Sequence, residues 1–152
     1  MRFQLLLYPT LLFLLLSGCK KEELPYTPPD GSYGLIYNKI FTTSCALSAC
    51  HNGAEGSVSP TLTGEAAFDG LLNATPANSQ AVNAGLKLVK PADPEASFLY
   101  QKLIFDSTAY AFGSEMPAGG LTLSADQVAF VRAWIAAGAP ESGHVADRGL
   151  IE

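Results

Sequence analysis

The apolar positions of this 152-residue chain fall into one long opening block, Leu5 to Leu16, and then into short clusters at helical spacing separated by polar, Gly- and Pro-containing stretches. Ile36 and Ile40, with Tyr37 and Phe41 beside them, form a stripe that predicts a helix over about 33–43, with Ser32 as its N-cap. Phe68 and Leu72 predict a short helix over about 65–72. Asp93-Pro94-Glu95 reads as a helix start: an Asp cap, a Pro at the first helical position and an acid on the positive end of the dipole. That helix is expected to run to about Phe105 and to bury Leu99 and Leu103 with Phe98 beside them. The last helix opens on the capping-box pattern Ser124-Ala125-Asp126-Gln127 and presents Val128, Val131, Trp134 and Ile135 on one face. Gly138 is its expected terminator, with Pro140 blocking continuation. Leu86 to Pro91 reads as a brief extended segment, residues 52–60 as loop and 73–85 as irregular chain. No run alternates convincingly with the period of a strand, so the expected class is all-α, a small helical domain with long loops.

The opening block follows a short positive start, is too short for a spanning helix, and reads as a signal peptide over 1–18. It ends Leu16-Ser17-Gly18-Cys19, which resembles a bacterial lipobox and implies lipidation of Cys19. The polar, Pro-rich run 19–31 is expected to be a flexible tether, 32–140 the folded domain and 141–152 a polar C-terminal tail. The implied location is the bacterial cell envelope, lipid-anchored to a membrane and facing the periplasm or the cell surface. Removing residues 1–18 takes away Arg2 and moves the formal charge from −5 to −6. Such an acidic domain is not built to bind nucleic acid or anionic lipid by charge. No Walker loop, G-x-S-x-G motif, nucleophile–base pair or paired carboxylates are visible, so no enzyme is expected.

The chemistry concentrates in Cys45-Ala46-Leu47-Ser48-Ala49-Cys50-His51, spelled C-x4-C-H. In the commoner C-x-x-C-H two thiols add to the vinyl groups of a porphyrin and the adjacent imidazole becomes the proximal iron ligand. The alternative is a local Cys45–Cys50 disulfide stapling a haem-free exported binding or structural domain, with His51 a solvated loop residue. A structural zinc site is a poorer third choice, because the mature chain offers only Cys45, Cys50, His51 and His144 as Cys or His ligands once Cys19 carries lipid.

The order of parts, together with Lys90-Pro91-Ala92-Asp93-Pro94-Glu95, Met116-Pro117 and the ending Trp134-Ile135-Ala136-Ala137-Gly138-Ala139-Pro140, resembles a class I c-type cytochrome of the planctomycete-type cytochrome c group. The likeness covers roughly Tyr33 to Pro140. It implies one covalent haem c on Cys45 and Cys50, His51 as proximal and Met116 as distal iron ligand, an electron carrier with peroxidase-like activity as a minor alternative, redox proteins as partners, and first and last helices packed together. Met116 lies in a Pro- and Gly-containing loop, Phe112 to Gly120, instead of on an apolar helix face, which weakens its reading as core filler. His144 is a minor alternative ligand and is expected to be a solvated histidine. Trp134 is expected to pack between helices, though its indole could reach a propionate, and Lys87 and Lys90 are expected to be solvated lysines that could pair with propionates.

Overall fold

The computed structural model describes residues 25–55, 57–104, 112–119 and 121–152. The expected signal peptide, Cys19 and the start of the tether lie outside the described residues, as do Phe105 and Gly120. Among the described residues there are five α-helices and no strand, only two isolated bridges. None of these helices is long and apolar enough to cross a membrane.

Helix α1, Ser32–Ile36, continues directly into a π-helical stretch, Tyr37–Cys45. Tyr33, Ile36, Tyr37, Ile40 and Phe41 are all buried on its inner face. The wide turn is visible where the Ala46 amide donates to the Phe41 carbonyl, five residues back, at 2.7 Å. Thr42 and Thr43 hydroxyls donate to the carbonyls of Asn38 and Lys39 at 3.1 and 2.8 Å, offering those carbonyls partners outside the α-helical ladder. The stretch ends with Cys45 turned inward and buried.

Three short helices follow: α2, Ala67–Asn73; α3, Ser79–Asn83; and α4, Phe98–Leu103. Helix α3 falls in the region read from sequence as irregular. It is initiated by Asn78, whose side-chain oxygen accepts from the Ala81 amide at 2.9 Å. Helix α4 begins at Phe98, not at Asp93. The Asp93 carboxylate instead accepts from the Ala96 amide at 3.1 Å, closing a turn, and the buried Ser97 hydroxyl accepts from the Lys90 amide at 2.8 Å. The segment expected to be extended is instead bent at Leu88 and Val89 and makes one isolated bridge, Lys87 to Ser97; Val89 donates to the Leu71 carbonyl at 3.0 Å, and Phe98 and Leu99 donate to the Lys87 and Leu88 carbonyls at 2.7 and 3.0 Å. These bonds lace α2, the segment 87–89 and α4 together.

Helix α5, Ala125–Ala136, carries the expected capping box, with Ser124 Oγ accepting from the Gln127 amide at 3.1 Å and Gln127 Oε1 from the Ser124 amide at 2.9 Å. Gly138 ends it at φ +98°, and Ala139 donates back to the Trp134 carbonyl at 3.0 Å. Its buried face is Phe130, Val131, Trp134 and Ile135, while Val128 is only half-buried. Helices α1 and α5 pack together as expected, with the Tyr33 and Trp134 rings 5.9 Å apart.

Both ends of the domain differ from expectation. Ser32 is not an N-cap: its buried hydroxyl accepts from the amides of Val145 and Ala146 at 2.9 and 3.1 Å. Residues 141–152, expected as a polar tail running outward, return to the body instead. Ser32 donates to the Gly143 carbonyl at 2.9 Å, Gly143 donates to the Asp30 carbonyl at 3.1 Å, and Ile151 joins the buried core. A 3₁₀ turn, Arg148–Leu150, packs on α5. The end of the expected tether is likewise docked: Tyr26 stacks edge-on against Tyr37 at 5.3 Å and Pro28 is buried. Gly34 permits this approach, since a Cβ there would stand 2.5 Å from the Pro29 carbonyl oxygen.

Candidate cofactor site

A cavity of about 610 Å³ opens between the cysteine loop, the α2–α3 region, α4 and the methionine loop. Its wall is predominantly apolar, built from side chains such as Leu62, Leu71, Leu88, Phe98, Leu99 and Leu103. Cys45, Cys50, His51 and Met116 all line it. Leu99 and Leu103 are therefore half-buried cavity residues, not the fully buried core expected from their spacing.

Of the four residues between the cysteines, Ala46, Leu47 and Ser48 take no part in the cavity wall, while Ala49 borders it. Cys50 donates to the Leu47 carbonyl at 2.9 Å, closing a turn in which Leu47, Ser48 and Ala49 are exposed. Ala49 takes a left-handed conformation at φ +64°, which costs a residue with a Cβ about 1–2 kcal/mol. His51 then donates to the Cys45 carbonyl at 3.2 Å, bringing the ends of the motif back together. Both thiols are free. Burial, reinforced by the neighbouring Cys50, pushes the Cys45 thiol up to about 11, so it stays protonated at neutral pH.

His51 is held from two sides. Its Nδ1 lies 2.8 Å from the Pro60 carbonyl oxygen, and its own carbonyl accepts from the Leu62 amide at 2.7 Å. A carbonyl can only accept, so this bond sets the proton on Nδ1 and leaves the lone pair on Nε2. That is the arrangement by which an outer partner orients a metal-binding imidazole and raises its basicity.

Met116 is half-buried, its amide donating to the Lys102 carbonyl at 2.9 Å, and Pro117 beside it is buried. Lys102, also on the cavity wall, donates from Nζ to the carbonyls of Phe112, at 3.2 Å, and Ser114. Burial lowers its pKa below that of an ordinary lysine.

The other candidates lie elsewhere. Trp134 is fully buried in the helix interface and donates Nε1–H to the Pro140 carbonyl at 2.9 Å. Lys90 pairs with Asp93 at 2.9 Å, and Lys87 is exposed; neither lines the cavity. His144 Nε2 sits 3.4 Å from Asp30 and takes no part in the cavity wall. Lys102 and the Pro60 carbonyl are the positions at the candidate site that the sequence pattern did not single out. Lys102 was readable as part of the face Phe98, Leu99, Lys102 and Leu103, whereas a backbone carbonyl such as that of Pro60 leaves no sequence signal.

Among the described residues, no three His, Cys, Asp or Glu side chains gather closely enough to hold a bare metal ion. Two thiols, an imidazole and a thioether are instead spread around an apolar cavity whose size lies within the roughly 300–1,000 Å³ usual for organic cofactors. This donor set fits a planar organic group that carries its own iron and offers two carbon atoms to the thiols. None of the known protein families, characterised proteins or solved structures compared with the chain matches it.

Proposed function

We propose that this chain is a membrane-anchored c-type cytochrome domain that carries electrons through one covalent haem, with a cytochrome c-like helical fold. The observation that carries this reading is that Cys45, Cys50, His51 and Met116, separated by up to 71 positions, share one apolar cavity. Cys45 and Cys50 would hold the porphyrin through thioethers, and His51 Nε2 and Met116 sulfur would ligate its iron. When bound, the group supplies a one-electron iron couple and the protein supplies the ligand field.

The chain's own residues account for the rest of the function. The hydrogen bond to Pro60 holds the His51 ring in one tautomer and keeps Nε2 a strong ligand. With the group bound, a neutral, soft thioether from Met116 would favour reduced iron and raise the potential, and the leucine and phenylalanine wall would exclude water in the same sense. Redox proteins would be the partners, and the anchor would be the lipid on Cys19, following the Leu16-Ser17-Gly18-Cys19 motif.

The deciding experiment is expression with a cytochrome c maturation system, followed by detection of haem that survives denaturing electrophoresis. Covalent haem is expected, and Cys45→Ser with Cys50→Ser should abolish it. Native protein with no haem and a Cys45–Cys50 disulfide would instead establish the stapled binding domain. Cys19→Ser should release the protein from the membrane fraction.

A further inference from the structure

We infer that Lys102 is the positioning residue for Met116, gripping the loop 112–116 through its side chain and its backbone at once; the inference rests on Met116 being the iron ligand proposed above. One residue touches the loop at three points. The Lys102 ammonium donates to the Phe112 carbonyl at 3.2 Å and to the Ser114 carbonyl, and the Lys102 carbonyl accepts from the Met116 amide at 2.9 Å. Those points lie four residues before the methionine, two before it, and at the methionine itself.

The surroundings favour this role over an ordinary solvated lysine. The side chain runs along the cavity wall on the α4 face that also carries Phe98, Leu99 and Leu103. A partly desolvated ammonium needs acceptors, and among the described residues no carboxylate lies within ion-pair distance of Nζ, so the loop carbonyls take the place of water. Only a long stem ending in several donors can reach two carbonyls from one helix position. Two further contacts hold the same strand of loop: Asn78 Nδ2 donates to the Phe112 carbonyl at 3.2 Å, and the Phe112 ring packs edge-on against Phe98 at 5.9 Å. Gly113, between the two gripped carbonyls, takes positive φ, so the stretch leading to Met116 has little restraint of its own. Helix α4, through Lys102, supplies the restraint.

The test compares Lys102→Leu, Lys102→Gln and Lys102→Arg in the haem-loaded protein with wild type and Met116→Ala. Leucine keeps the apolar stem and removes every donor, glutamine keeps one donor group, and arginine keeps several. The leucine variant should retain covalent haem and lose at least half of the sulfur-to-iron charge-transfer band. Its cyanide affinity should rise about tenfold or more, as expected when charged hydrogen bonds holding a competing ligand are lost. Glutamine should fall between, and arginine should restore the band. A lower thermal midpoint with the band and cyanide affinity unchanged would make Lys102 a purely structural residue and overturn the inference. If the leucine variant fails to fold, the glutamine variant decides on the same two readouts. Absence of covalent haem from wild type, or of the band from wild type, is a different result, because it removes the ligand reading itself.

Discussion

Nδ1 of His51 stands 2.8 Å from the carbonyl oxygen of Pro60, nine residues further along the chain, and this one bond decides which ring nitrogen is free to ligate. His51→Ala should leave haem attached, because both thiols remain, but should replace the low-spin spectrum with a high-spin one. Added imidazole should restore the low-spin form, since the apolar wall that received the His51 ring is intact. A low-spin spectrum in His51→Ala without imidazole would mean that another side chain is the proximal ligand.

The sixth position separates Met116 from His144. Met116 shares the cavity with His51, while His144 is held beside Asp30 by the bridge between Gly31 and Gly143. Met116→Ala should abolish the sulfur-to-iron charge-transfer band, lower the midpoint potential and admit cyanide. His144→Ala should leave the band and the potential at their wild-type values. The reverse pattern would assign the iron to His144.

The two cysteines should differ in reactivity before haem is attached. In chain lacking residues 1–19, iodoacetamide at pH 8 should modify half-buried Cys50 well before Cys45, whose thiol is buried and raised to about 11. The same shift has a stability sign. Folding favours the protonated Cys45 thiol, so its contribution is complete below the ordinary thiol pKa of 9.0 and is lost as pH rises towards about 11. The loss amounts to up to about 3 kcal/mol. Because Tyr26 and Tyr33 are also raised by burial, the measurement is the difference between wild type and Cys45→Ala in urea unfolding from pH 8 to 11. Equal pH profiles for the two would contradict the shift.

The candidate residues that share the cavity were legible because their signals are local: a cysteine pair with an adjacent histidine, and a methionine set among Pro and Gly. It carried α5 for the same reason, since Ser124 and Gln127 cap it through side chains three positions apart. It misled at Asp93 and Ser32. Both are good capping residues, but tertiary partners took their surroundings elsewhere: Asp93 closes the turn that docks Ser97 against Lys90, and Ser32 receives two amides from more than a hundred residues away. The docked C-terminus was illegible because its signals are sparse. Leu150 and Ile151 are a short aliphatic pair at the end of a mostly polar run, and Gly143 looks like any loop glycine until Gly31 is laid against it.

That docking makes the two ends of the domain depend on each other. Tyr33 and Trp134 meet in the α1–α5 interface, and the strap formed by Gly143 to Ile151 covers the start of α1 through the Ser32 hydroxyl. Trp134→Ala removes a fully buried indole and its bond to Pro140, and should cost roughly 3–5 kcal/mol, enough to unfold a small domain. Ser32→Ala strands two amides that had one acceptor and should cost about 1–3 kcal/mol. Gly31→Ala would set a Cβ 2.5 Å from the Gly143 backbone nitrogen, forcing the strap off, so it should destabilise at least as much as Ser32→Ala. Truncation after Pro140 should act in the same direction, through loss of Ile151 burial and the bonds to Asp30 and Ser32. Chemical denaturation of the four variants checks this as a set. If truncation leaves the midpoint unchanged while Trp134→Ala unfolds the domain, the strap contributes nothing to stability and the domain ends at Pro140.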